Sequence, residues 1–140
     1  MKTTHTGMAL IMSLVLFLMG PTAFEARASQ VRRGVTLRPL NAAMVDDVLQ
    51  SSNGATHATI DFVNRSRGAV DVYWINYEGH RVLYVAGLAA GSSCTIATFL
   101  THPWLVVASG TGGTTARDTG TRLAGFEALT PNGDTAIITD

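Results

Sequence analysis

The chain has 140 residues, a formal net charge of zero and a single cysteine. That length fits one domain, and the charge balance gives no basic patch of the kind nucleic acid requires. One cysteine excludes an intramolecular disulfide, so a hydrophobic core must hold the fold, which a domain of this size can build.

Lys2 starts a positive N-terminal region, followed by the apolar run Met8–Met19 and then Gly20-Pro21. Ala26-Arg27-Ala28 is a small-x-small cleavage pattern, so residues 1–28 are expected to be a cleavable signal peptide. The apolar run is too short to cross a bilayer comfortably as a helix. The expectation is a secreted or periplasmic protein that begins at Ser29 and has no membrane attachment after cleavage. Residues 29–45 read as a lead-in, loose over its first part, and 46–140 as the folded domain. Within Asn41–Gln50 the apolar spacing allows a short helix capped by Asn41, or a loop followed by an edge strand near Val48–Ser51.

His57–Asn64 alternates, with Ala58, Ile60 and Phe62 on one face, which is the period of a half-buried strand. Asn64-Arg65-Ser66 matches a glycosylation sequon but reads as a structural turn, with Asn64 able to take the left-handed region. The stretch from Asn64 to Trp104 holds both tryptophans, all three tyrosines and the cysteine. Its strand-forming runs are Val70–Tyr77, Arg81–Val85 and Cys94–Phe99, rich in β-branched and aromatic residues. Glu78-Gly79 and 89–92 are the turns between them. This stretch is expected to form the centre of an antiparallel sheet and to hold any binding site. Pro103–Ala108 is a further strand, with Pro103 at its start because it lacks a donor N–H. Ser109–Arg122 is a Gly/Thr-rich surface loop. Leu123–Leu129 and Asp134–Thr139 complete the count. The fold class is therefore all-β, a roughly seven-stranded antiparallel β-sandwich.

Catalytic and metal chemistry find little support. The four histidines do not fall at zinc-ligand spacings, and no nucleophile motif is present. Gly110–Thr114 lacks the Lys-Ser/Thr of a phosphate loop. Asp46 and Asp47 are adjacent and would point apart in a strand. The expectation is a protein that is not an enzyme and has no cofactor or metal.

Phe62, Asn64-Arg65-Ser66, Val72, Trp74, Asn76-Tyr77, Gly79, Tyr84, Leu88, Gly91, Ile96, His102 and Trp104 recur in the order and near the spacing of another protein. Through them the chain resembles the β domain of the von Hippel–Lindau tumour suppressor family. The match is nearly gapless from Leu49 to Tyr84, needs one extra residue near Gly87, and is regular again to Leu105. The resemblance implies a seven-stranded sandwich that binds an extended peptide or protein segment carrying hydroxyproline. It implies a pocket at Trp74, Tyr84, Thr98, His102 and Trp104: aromatic walls for the ring, with Thr98 and His102 for its hydroxyl. Thr98 stands where the family has serine, and Ala97 where it has a second histidine. No helical pattern follows the last strand, so the family's elongin and ubiquitin-ligase partners are not expected.

Taken singly, these residues have plainer readings. Trp74 reads first as a sandwich-core tryptophan. Tyr84 reads equally as a core residue or a pocket wall, and His102 as a loop histidine; only their joint spacing makes a site. The competing function is a structural or assembly domain with its aromatics in the core and no ligand pocket. Sugar recognition by exposed aromatics is a third reading.

Overall fold

A computed structural model describes residues 34–52, 54–110 and 120–140. The signal peptide and most of the Gly/Thr-rich loop expected from the sequence lie outside the described residues.

Among the described residues one short helix and seven strands follow in order: α1 (Ala42–Asp47), β1 (His57–Asn64), β2 (Val70–Ile75), β3 (Arg81–Leu88), β4 (Ser93–Phe99), β5 (Pro103–Ala108), β6 (Arg122–Glu127) and β7 (Asp134–Ile138). They form a three-stranded sheet ordered β4-β1-β7 and a four-stranded sheet ordered β3-β2-β5-β6. This is the expected all-β sandwich.

The layers follow from side-chain period. Ile60 and Phe62 of β1 point inward against Val70, Val72, Trp104, Val106 and Phe126 of the other sheet, with Ala136 and Ile138 of β7 beside them. Alternate residues Ile75, Leu105 and Val107 face the other way and pack under Val45 of α1. β5 is thus buried on both faces, which explains its unbroken apolar run. Helix α1 is the helical alternative for Asn41–Gln50: Asn41 Oδ1 accepts from Met44 N at 3.1 Å. Asp46 then meets Arg81 at 2.5 Å and Arg122 at 2.8 Å, which ties the helix to both edges of the sheet beneath it.

Three expectations need correction. The Asn64–Trp104 stretch is not the centre of one sheet. β2, β3 and β5 share a sheet, but β4 crosses over to pair with β1, from His57↔Phe99 to Val63↔Ser93. Only by crossing can Ile96 enter the core from the second layer. Second, the sandwich is not wholly antiparallel, because β1 and β7 run parallel. These two strands are the first and last among the described residues, so no hairpin joins them to dictate their sense. Third, the described part of the lead-in is not loose. Leu37 is 4% exposed in the core, and Leu37 N and Thr135 N exchange bonds with Thr135 O and Val35 O at 2.8 Å.

Asn64 is structural, though not in the left-handed region, where the described residues include only glycines. Its Nδ2 donates to Gly68 O and Leu88 O, both at 2.9 Å, while Oδ1 accepts from Ser66 N and Ser66 Oγ. A fully buried amide with these partners has no room for a glycan. It joins the end of β1 to the end of β3 instead.

A cleft between the two edge strands

β3 and β4 are edge strands of different sheets, joined by the turn at 89–92. Where the sheets part beside them, a cleft of about 230 Å³ opens. Its lining is Trp74, Tyr77, Tyr84, Ala97, Thr98, Phe99, His102 and Trp104. All five residues expected to form a pocket are therefore brought together, from β2, β3, β4, β5 and the corner before β5.

Each arrives by a different route. Trp74 and Trp104 are cross-strand partners between β2 and β5, so both lie on the inward face. Tyr84 shares that face by alternation, two residues on from Val82, the partner of Trp74. Val72 pairs with Val85 and Tyr73 with Leu83, which leaves Tyr84 as an extra residue on β3. The bulge lets Val85 turn inward opposite Val72 as well, where it packs against the core. A second extra residue follows it, between Val85 and Leu88. There Gly87 takes φ +65° and its N–H reaches Asp71 Oδ1 at 2.7 Å, which is where the sequence needed one more position than the family. The Tyr84 ring then meets Trp104 edge-on at 5.1 Å and 90°.

Burial separates the five. Trp104 is 1% exposed, and its Nε1 donates to Thr98 Oγ1 at 3.0 Å. Both belong as much to the core as to the cleft floor. Trp74 is half-buried, with Nε1 donating to Ser51 Oγ at 2.7 Å. Tyr84 is 57% exposed and forms the outer wall. His102 is buried between Trp74 at 5.2 Å and Phe99 at 5.0 Å, with Nε2 lying 3.2 Å from Tyr77 Oη. Burial pushes its pKa below the ordinary histidine value, which favours the neutral imidazole.

Sequence reading missed three contributors. Tyr77 lies beyond the end of β2, on a turn where Asn76 Oδ1 accepts from Glu78 N and His80 N, so no strand period points to it. Phe99 follows Thr98 and carried no polar signal. Ser51 read as a turn residue, yet its Oγ donates to Ile75 O and receives Trp74 Nε1, so it orients the indole from below. Cys94 is half-buried beside the core, with its thiol pKa raised by burial and by Asp61. Among the described residues no cluster of histidine, cysteine and carboxylates could hold a metal ion.

The cleft offers aromatic surface on two sides, and a hydroxyl and a neutral imidazole at its floor. That combination suits a small apolar ring with one polar substituent. Its volume is below the roughly 300–1,000 Å³ of sites for drug-sized ligands, so it fits one ring rather than a whole cofactor.

No curated protein matches the chain. The family model of the VHL beta domain matches residues 49–116, a span that runs from before β1 to beyond β5 and contains every cleft residue. Over residues 49–116 the sandwich is similar to the VHL beta-domain family.

Proposed function

We infer that this protein is a non-enzymatic recognition module that takes an extended peptide or protein segment across the β3–β4 cleft, with hydroxyproline as the preferred ring. The observation that carries this reading is the convergence of Trp74, Tyr84, Thr98, His102 and Trp104, drawn from five separate positions, on one open hollow. A pyrrolidine ring packs on the Tyr84 and Trp74 faces. Its hydroxyl, once desolvated, needs partners or costs about 1–3 kcal/mol, and Thr98 Oγ1 and His102 lie at the floor to supply them. The free edges of β3 and β4 flank the cleft, so main-chain hydrogen bonds can align the segment on either side of the ring. Export from the cytoplasm, inferred from residues 1–28, makes the partner an extracytoplasmic segment and leaves no place for an elongin or a ubiquitin ligase.

Chemical-shift titration of the protein with short alanine-flanked peptides tests the reading, one with a central proline and one with 4-hydroxyproline. The hydroxylated peptide is expected to bind tighter by about tenfold or more, the worth of one or two hydrogen bonds. Tyr84→Ala should remove that binding while leaving the fold intact, because the ring is mostly exposed. Equal affinity for the two peptides would sink the hydroxyproline form of the proposal.

The structural-domain reading draws on one observation of its own. The bond from Trp104 to Thr98 is internal, and gives both residues a role without any guest. It does not account for Tyr84, which stands 57% exposed on a bulge at the cleft mouth. Absence of binding to any extended peptide would favour it.

A further inference from the structure

The polar groups at the cleft floor can be counted by their free valences. Thr98 Oγ1 accepts from Trp104 Nε1, and its own proton has no acceptor among the described residues. His102 Nε2 is engaged by Tyr77 Oη, and Nδ1 has no partner among them. Among the described residues no fully inaccessible side-chain nitrogen or oxygen lacks a partner, so Nδ1 keeps accessible surface on a residue that lines the cleft. The ring cannot swing away, since Trp74 lies beside it at an interplanar angle of 31°, and Tyr77 closes it edge-on at 85°. Tyr77 is held by its own turn, in which Gly79 at φ +76° lets Asn76 cap the N–H groups of Glu78 and His80.

The direction of the Tyr77–His102 bond follows from acidity. A phenol O–H is a much better donor than the N–H of a neutral imidazole. Tyr77 therefore donates, Nε2 accepts, and the imidazole proton sits on Nδ1.

We propose that Tyr77 is a positioning residue that holds His102 as an Nδ1–H donor, so that His102 and Thr98 form a two-donor cradle selecting an oxygen acceptor on the guest ring. A ring hydroxyl or carbonyl fits this cradle. A ring ammonium, which brings only donors, does not. The inference rests on the peptide-cleft reading and deepens it by naming the atom that the guest must present.

Nitrogen-15 NMR of the histidine ring reads the tautomer in the free protein, without any ligand. Wild-type His102 is expected as Nδ1–H. Tyr77→Phe keeps the aromatic contacts and removes the hydroxyl, and should shift His102 toward Nε2–H, the form favoured in water. In titrations, the 4-hydroxyproline peptide should bind wild type at least about tenfold tighter than the 4-aminoproline peptide. Tyr77→Phe should weaken the hydroxyproline peptide by about five- to tenfold, the loss of one oriented hydrogen bond. An Nε2–H wild type, or a variant with an unchanged tautomer, overturns the role of Tyr77. Equal binding of the amino and hydroxyl peptides overturns the cradle. A tautomer shift with no binding of either peptide supports the role of Tyr77 and removes the peptide reading instead. Should the variant not fold, the wild-type tautomer alone decides the first point.

Discussion

Replacing Thr98 with valine separates the stability role of the cleft floor from its recognition role. The two side chains have nearly the same shape, so packing against Ile96 and Trp104 is retained. What is lost is Oγ1, the acceptor of Trp104 Nε1 at 3.0 Å. Trp104 is 1% exposed, so water cannot replace that acceptor without opening the sandwich. Leaving a buried donor unpaired costs about 1–3 kcal/mol. For a domain of this size each kcal/mol lowers Tm by roughly 4–8 °C. Thermal unfolding followed by tryptophan fluorescence measures the loss directly. Thr98→Ser, which retains the hydroxyl, should fall closer to wild type. In the peptide titration, Thr98→Val should narrow the gap between the hydroxyproline and proline peptides, because half of the cradle is gone. A valine variant as stable as wild type would show that the Thr98–Trp104 bond contributes nothing, and the account of the cleft floor would fail with it.

Two further predictions concern the frame that holds the cleft. Asp134 is fully buried and accepts from Val35 N at 2.9 Å, Leu129 N at 2.6 Å, and Thr130 N and Oγ1 at 2.7 and 2.5 Å. Hydrogen bonds from Thr130, Val35 and Leu129 outweigh the opposing effect of burial and hold its pKa below the ordinary carboxylate value. A depressed folded pKa means a contribution that is fully present above the unfolded value, about 3.9, and lost as pH falls through the folded one. Denaturant melts from pH 7 down to pH 2 should therefore show a steep acid limb, and Asp134→Asn should be less stable at pH 7 with a flatter limb; an unchanged limb counts against this assignment. Gly125 lies directly beneath α1, where an added Cβ would overlap Val45 Cγ2. Gly125→Ala should cost about 1–3 kcal/mol through overpacking and raise hydrogen exchange across 42–49, whereas unaltered protection there would mean that the helix is not seated on that glycine.

Strand positions were legible in the sequence because the alternation of a half-buried strand is local. His57–Asn64 carries Ile60 and Phe62 two residues apart, and its bounds agree with β1. Pro103 marks the start of β5 for an equally local reason, its missing N–H. The residues that meet in the cleft were legible only through resemblance to a family, not through any period. Which sheet each strand joins is decided by burial across the whole molecule. Cys94–Phe99 reads the same whether it stays with its neighbours or crosses to β1, and only the need to cover Phe62 and Trp104 sends it across. Val85 turns inward beside Tyr84 because β3 carries an extra residue relative to β2, and no single strand records its partner's register. Tyr77 joins the site from a turn, where the chain direction depends on Asn76 and Gly79 and the contact with His102 spans 25 residues. Composition and alternation thus determined that the chain forms a seven-stranded sandwich. Tertiary packing alone decided that its two edge strands stand apart and leave an aromatic hollow with a hydroxyl and an imidazole at the floor.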